Sequence, residues 1–236
     1  MDPALVVVQC RSESRRLPAK ALYPVAGVPL LAFLLRRLRS GLDENDFRVV
    51  LATTRRLADD TVAAWGEREG VAVVRGEAND VLARFVRCLL RFPSPLAVRV
   101  TADNPLTCPW ALRRAVRAAR RSGADYVQCR NMPHGTAVDV FSAGVLMRLA
   151  DEARQPDERE HINLHILRHP RRFKTLVLDV RGKRRRPDLS LTVDTMEDWL
   201  RVSTALEGTG PKSWRISLGE AIARLDRSVV CRAEAA

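Results

Sequence analysis

Short β-rich apolar runs alternate with amphipathic helical stretches along most of the chain. Residues 5–9, 48–53, 71–74, 97–101 and 125–129 read as strands, followed by 137–141, 174–180 and 189–193. Between them Leu30, Leu31, Leu34, Leu35 and Leu38 share one helical face. Val81, Leu82, Phe85, Val86 and Leu89 share another, with Asp80 placed to cap that helix. Strands that alternate with such helices predict an α/β fold, Rossmann-like, whose mainly parallel mixed sheet is covered on both faces. The helical stripes are packing surfaces and carry no chemistry.

At 236 residues the chain suits one domain, 1–236, and shows no internal repeat or long linker. The less regular stretch 131–186 suggests a lobe built on the main sheet. No apolar run reaches the roughly 18 residues of a membrane span. Met1-Asp2-Pro3 lacks a basic leader, so a cytoplasmic location without membrane contact is expected.

The formal charge of +12 invites a nucleic-acid reading. Lysine occurs only at positions 20, 174, 183 and 212, so arginine supplies nearly all of the 40 basic residues. They are spread over the polar faces of helices, as at Arg36, Arg37 and Arg39 or Arg84, Arg87 and Arg91. Without an aromatic-interleaved patch, this diffuse charge does not favour nucleic acid as a partner. Cys10, Cys88, Cys108, Cys129 and Cys231 are an odd set without a Cys-x-x-Cys pair, which argues against disulfides and a thiolate zinc site.

Candidate chemistry gathers at strand ends. The first strand empties into Cys10-Arg11-Ser12-Glu13-Ser14-Arg15-Arg16-Leu17-Pro18-Ala19-Lys20. Arg11, Arg16 and Lys20 can converge on phosphate oxygens there, and Ser14 adds a hydroxyl. The carboxyl edge of an open sheet is where ligands sit, so a polyanion such as a nucleoside triphosphate fits. The loop lacks the glycine pattern of a Walker A motif. Asp103 follows the strand ending at Thr101, and Asp194 follows the predicted strand 189–193. Either could be a turn or helix-cap residue, as could Thr195, with Asp198 in the first turn. Two aspartates delivered to one sheet edge are also a fitting Mg²⁺ pair. His161, His165 and His169 are four apart, which on one helix gives a shared face compatible with a metal or with a structural role.

These motifs resemble the cytidylyltransferase family of CMP-sugar synthetase type. Arg11-x-x-Ser14-x-Arg16-Leu17-Pro18-x-Lys20 with Gly27-x-Pro29-Leu30 resembles the family's opening. Val50 to Thr54, Arg75-Gly76-Glu77 with Asp80-Val81-Leu82, and Arg99-x-Thr101-Ala102-Asp103-x-Pro105-Leu106 follow in order. Arg159-Glu160-His161 and Leu191-Thr192-Val193-Asp194-Thr195-x-Glu197-Asp198 complete the set, which is most similar to the branch of spore coat polysaccharide biosynthesis protein F. The resemblance implies a glycosyltransferase-A-type nucleotidyltransferase that uses CTP and Mg²⁺. It would transfer CMP to an acidic sugar or related acceptor for polysaccharide or glycoconjugate synthesis.

Carried onto matching positions, Arg11, Ser14, Arg16 and Lys20 would hold the triphosphate. Ala52, Thr53, Arg75 and Gly76 would lie near base and ribose. Asp103 and Asp194 would bind the metal, and together with Arg16 and Lys20 would carry the catalysis. Asp139, Arg159, Glu160 and His161 would face the acceptor, with the lobe 131–186 on that side. The family also implies a homodimer.

Two departures stand out. Glu13 and Ala19 replace customary glycines, and Glu13 must point away from the phosphates, pair with Arg15, or weaken binding. Ala137 and Asp139 stand where relatives show an Asp-x-Glu pair. Two other readings remain: a UTP- or GTP-dependent sugar-phosphate nucleotidyltransferase or glycosyltransferase on the same fold, and a non-catalytic nucleotide- or nucleic-acid-binding protein.

Overall fold

A computed structural model describes residues 2–14 and 16–234, with side chains to Ser228. Its strands are β1 (Ala4–Gln9), β2 (Pro24–Val25), β3 (Val28–Pro29), β4 (Phe47–Thr54), β5 (Ala72–Gly76), β6 (Leu96–Thr101), β7 (Tyr126–Arg130), β8 (Asp139–Ser142) and β9 (Thr175–Asp179). The helices are α1 (Leu30–Gly41), α2 (Asp60–Arg68), α3 (Val81–Arg91), α4 (Pro109–Ser122), α5 (Ala143–Glu152), α6 (Pro156–Glu160), α7 (Leu164–Arg168), α8 (Met196–Leu206) and α9 (Leu218–Glu234).

Seven strands form one sheet in the order β5-β4-β1-β6-β8-β7-β9. β1 pairs in parallel with both β4 and β6, whereas β8 runs against both of its neighbours. The chain leaves β1 toward β4 and β5, then returns to β6 on the other side. That reversal opens a crevice at the carboxyl ends of β1 and β6, the place where open α/β sheets bind ligands.

Side chains alternate across the sheet and feed two cores. Val6 and Val8 join one face with Leu34, Leu112, Val202 and Leu218, from α1, α4, α8 and α9. Leu5 and Val7 join the other with Phe85, Leu146 and Ile166, from α3, α5 and α7. Asp80 caps α3, accepting a hydrogen bond from the Ala83 amide at 2.8 Å. The stretch 131–186 supplies β8 and β9 to the main sheet, while α5 and α6 pack over α3 and α7 packs against α6.

Three expectations are corrected. Residues 189–193 form no strand of the sheet; they touch His134 through one isolated bridge at Ser190. The segment is nevertheless extended, because Leu191 donates to the His134 carbonyl and Val193 to the Asp103 carbonyl, both at 2.8 Å. Arg37 and Arg84, assigned to polar helix faces, are 3% and 2% exposed. Arg37 donates to the carbonyls of Thr107, Trp214 and Ile216, which accounts for its burial. The three histidines do not share one helix: α6 ends at Glu160, His161 leaves helical geometry, and α7 begins at Leu164.

Cys10, Cys88, Cys108 and Cys129 are buried free thiols, and Cys231 lies outside the described side chains. Among the described residues no helix is long and apolar enough to cross a membrane.

Candidate active site

A cavity of about 1720 Å³ opens at the carboxyl ends of β1 and β6. The basic loop forms one wall. Its shape is set by residues that sequence reasoning passed over: buried Asp59 accepts from the Ser12 amide at 2.6 Å and from the Thr54 hydroxyl, tying the loop to β4. Asp59 gives little signal in sequence, because it reads as an ordinary first-turn acid before α2. Ala19 adopts left-handed geometry, φ 54°, and starts the short turn that aims Lys20 inward.

Asp103 and Asp194 converge on Lys20. Its ammonium lies 2.7 Å from Asp103 Oδ2 and 2.6 Å from Asp194 Oδ1. Arg16 Nη2 reaches the other Asp194 oxygen at 2.9 Å. Burial pulls the Lys20 pKa down, but the two carboxylates outweigh it and the net shift is upward, so the group is fully charged at neutral pH.

Each aspartate is held by local geometry. Asp103 leaves β6 in a turn closed by the Asn104 amide on the Thr101 carbonyl. Asp194 precedes α8, whose N-cap is Thr195; Thr195 and Asp198 form a reciprocal capping box. Capping thus falls to Thr195 and Asp198, which leaves the Asp194 carboxylate for Lys20 and Arg16.

Arg11 pairs with Glu160 at 2.9 Å, and both line the cavity. The Ser14 hydroxyl accepts from the Leu17 amide at 3.4 Å and also lines the wall. Glu13 pairs with Arg56 and lines the cavity. Pairing with Arg15 lies outside the described residues.

The residues expected near base and ribose are not on this wall. Ala52 and Thr53 are fully buried within β4. Arg75 turns to the carbonyls of Thr54 and Arg56, and Gly76 packs against the Arg84 stem. Ala58, Asn79, Val81 and Arg84 line that end instead. Arg84 was hidden in a helical arginine series; it holds the carbonyls of Glu77 and Ala78, and its Nε is buried without a partner.

At the opposite end Asp139 accepts from the Tyr126 hydroxyl at 2.6 Å and lies 3.6 Å from Arg99. Burial raises the Asp139 pKa, against the opposing pull of Arg99 and Tyr126. Arg99, which also reaches Gln9 at 3.2 Å, stood inside a quoted motif without being assigned a role. Glu160 and His161 line the cavity. Arg159 does not; it bonds Asp80 at 2.7 Å and the Ala153 carbonyl at 3.0 Å, locking α6 to the start of α3.

Known proteins share this fold. The sequence model of the cytidylyltransferase family matches residues 5–222. The chain is 30% identical to spore coat polysaccharide biosynthesis protein SpsF of Bacillus subtilis, over 97% of this chain and 96% of that protein. A solved cytidylyltransferase from Leptospira borgpetersenii superimposes with a TM-score of 0.88 at 26% identity, covering 98% of this chain and 96% of the other. CMP:2-keto-3-deoxy-manno-octonic acid synthetase, solved with CTP, shares the fold with a TM-score of 0.65 at 14% identity, covering 86% and 97%. With the match running from β1 into α9, this chain is a nucleotidyltransferase belonging to the cytidylyltransferase family.

Proposed function

We propose that the protein transfers CMP from CTP to a hydroxyl of an acidic sugar or related acceptor, releasing pyrophosphate, in polysaccharide or glycoconjugate synthesis. The observation that carries this reading is the convergence of Lys20 and Arg16 on Asp103 and Asp194 inside a cavity large enough for a nucleotide and an acceptor together.

Arg11, Arg16 and Lys20 exchange their protein carboxylates for phosphate oxygens when the triphosphate enters. The exchange is favourable because the phosphates bring more negative charge than the carboxylates they displace. It also frees Asp103 and Asp194. Their all-oxygen donor set suits Mg²⁺, and a cation, the Lys20 ammonium, already stands where they converge. Bound there, Mg²⁺ would polarise the α-phosphate and shield the leaving group.

The acceptor oxygen attacks the α-phosphorus in line with the departing pyrophosphate. The protein's part is chiefly placement and charge neutralisation. Lys20 and Arg16 stabilise negative charge growing on the bridging and β-oxygens. Asp139, Glu160 and His161 line the side left for the acceptor.

Pyrophosphate release from CTP and Mg²⁺ across a panel of acidic sugars tests the reading. Asp103→Asn is expected to lower turnover by on the order of 10²–10³-fold with an unchanged fold by circular dichroism. Absence of CTP binding in the presence of Mg²⁺ overturns it, and a larger thermal shift with UTP or GTP redirects it to another nucleotide.

A further inference from the structure

Away from the cavity, the layer formed by α5, α6 and α7 encloses a second polar cluster. His165 is 6% exposed and lies between two glutamates. Its Nδ1 is 3.0 Å from Glu158 Oε2 and its Nε2 is 3.5 Å from Glu152 Oε2. The outer oxygens of both carboxylates are already engaged. Glu152 Oε1 takes Arg148 at 2.7 Å and Arg172 at 2.9 Å, and Glu158 Oε1 takes Arg168 at 3.1 Å. Only the inner oxygens face the imidazole. His169, one helical turn further on, brings its ring to 4.6 Å from that of His165, centroid to centroid.

A neutral imidazole cannot satisfy this arrangement. It carries one proton, so one ring nitrogen must present a lone pair to a carboxylate oxygen, an acceptor facing an acceptor. His165 Nε2 and Glu152 Oε2 are indeed both buried without a hydrogen-bond partner. Either the ring carries a second proton, or one nitrogen binds a cation. The second solution has its ligands at hand: one donor atom each from Glu158, His165 and His169 lies within 4.8 Å of the others.

We infer that Glu158, His165 and His169 form a binding site for one divalent transition-metal ion of the zinc class, with Glu152 fixing the His165 ring from its far side. His165 Nδ1 is the ligating atom. Its proton then resides on Nε2 and is donated to Glu152, the carboxylate–histidine–metal relay that orients metal-bound imidazoles. Nδ1 and Glu158 Oε2, 3.0 Å apart, already stand near the spacing of two ligands on a tetrahedral zinc; the His169 ring closes in on them, and water completes four-coordination. The site staples α6 to α7, two helices of five residues each that are too short to persist by their own hydrogen bonds. Glu160 ends α6 and His161 opens the connection to α7, and both line the cavity, so the metal stiffens one wall of the active site.

Tag-free full-length protein, stripped with a chelator and free of nucleotide, so that the Lys20 ammonium holds the Asp103–Asp194 pair, is titrated with Zn²⁺ in millimolar Mg²⁺. One equivalent is expected to bind, and Co²⁺ in its place is expected to give the visible bands of a four-coordinate nitrogen–oxygen site. His169 is exposed, so His169→Ala tests the site without threatening the core. It should weaken Zn²⁺ binding at least tenfold and abolish the cobalt bands. Glu158→Gln should weaken binding as well, whereas Asp103→Asn should leave the equivalent intact. No saturable equivalent, or one indifferent to His169→Ala, overturns the inference and leaves a doubly protonated His165 as the explanation.

Discussion

Lys20 and Asp194 lie 174 positions apart in the chain and meet at 2.6 Å, with the ammonium also 2.7 Å from Asp103. One lysine thus holds together two acidic segments that would otherwise repel. Lys20→Met should destabilise the nucleotide-free protein by about 1–3 kcal/mol, because the carboxylates lose their shared counter-ion. Millimolar Mg²⁺ should restore part of that loss in the variant and do little for the wild type, where the ammonium holds the position. Thermal melts of both proteins with and without Mg²⁺ read this directly. Equal Mg²⁺ shifts would show that lysine and metal do not compete for one place.

Ala19 is a non-glycine residue at φ 54°, in the turn that delivers Lys20. A Cβ in this region costs on the order of 1–2 kcal/mol, partly offset by the greater freedom that glycine gives the unfolded chain. Ala19→Gly should therefore stabilise the protein by about 0.5–1 kcal/mol and raise the melting temperature by roughly 1–4 °C. An unchanged or lower midpoint in calorimetry would mean that the loop relaxes its strain elsewhere.

The raised pKa of Asp139 has a signed consequence. Burial lifts it above its ordinary 3.8, so the native state holds this proton more tightly than the unfolded chain. Stability from this group is therefore greatest at low pH and declines as pH rises from about the unfolded value through the raised native one. Asp139→Asn removes the titration while keeping an oxygen for Tyr126. Urea midpoints across that window should fall more steeply for the wild type than for the variant. Parallel curves would count against burial as the dominant influence on Asp139.

Arg37 is buried among three carbonyls, and burial lowers its pKa to about 10, which leaves it charged at neutral pH. It ties α1 to the loop after β6 and to the turn before α9. Arg37→Met preserves bulk but leaves those acceptors unpaired, at an expected loss of about 3 kcal/mol. Denaturant unfolding checks this; a change below about 1 kcal/mol would mean that water replaces the guanidinium.

Why some of this was legible in sequence, and some not, follows from where the partners lie. The loop from Arg11 to Lys20 and the turn at Asp103 declared themselves because charge directly after a buried strand has only the sheet edge to occupy. Asp194 was placed correctly at that edge through a wrong element. The alternation Leu189, Leu191, Val193 reads as a strand, yet two backbone bonds to His134 and Asp103 hold it extended outside the sheet. The histidine spacing predicted one helix face. In the fold Arg159 is drawn to Asp80 and Glu160 to Arg11, partners 79 and 149 positions away, and the helix breaks just after them. Arg37 looked solvated for the same reason, since the carbonyls of Thr107, Trp214 and Ile216 belong to distant segments; Arg84 instead turns back to the Glu77 and Ala78 carbonyls just before its own helix.

Gly135 and Gly123 allow backbone strain to be separated from site geometry. Both have left-handed φ, +84° and +61°, so alanine costs each about the same 1–2 kcal/mol in conformation. Their surroundings differ. A Cβ on Gly123 meets nothing within 4 Å, whereas one on Gly135 would lie 2.7 Å from the Thr192 amide nitrogen and 2.9 Å from its Cα. Those are backbone atoms two residues before Asp194, and they cannot rotate away. Gly135→Ala must push this segment, and the Asp194 carboxylate with it, away from Asp103. Gly123→Ala should lower stability and leave kcat unchanged, while Gly135→Ala should lower kcat at least tenfold and raise the Mg²⁺ concentration needed for half-maximal rate. If both variants lose only stability, the approach of Gly135 to Thr192 does not set the spacing of the two aspartates.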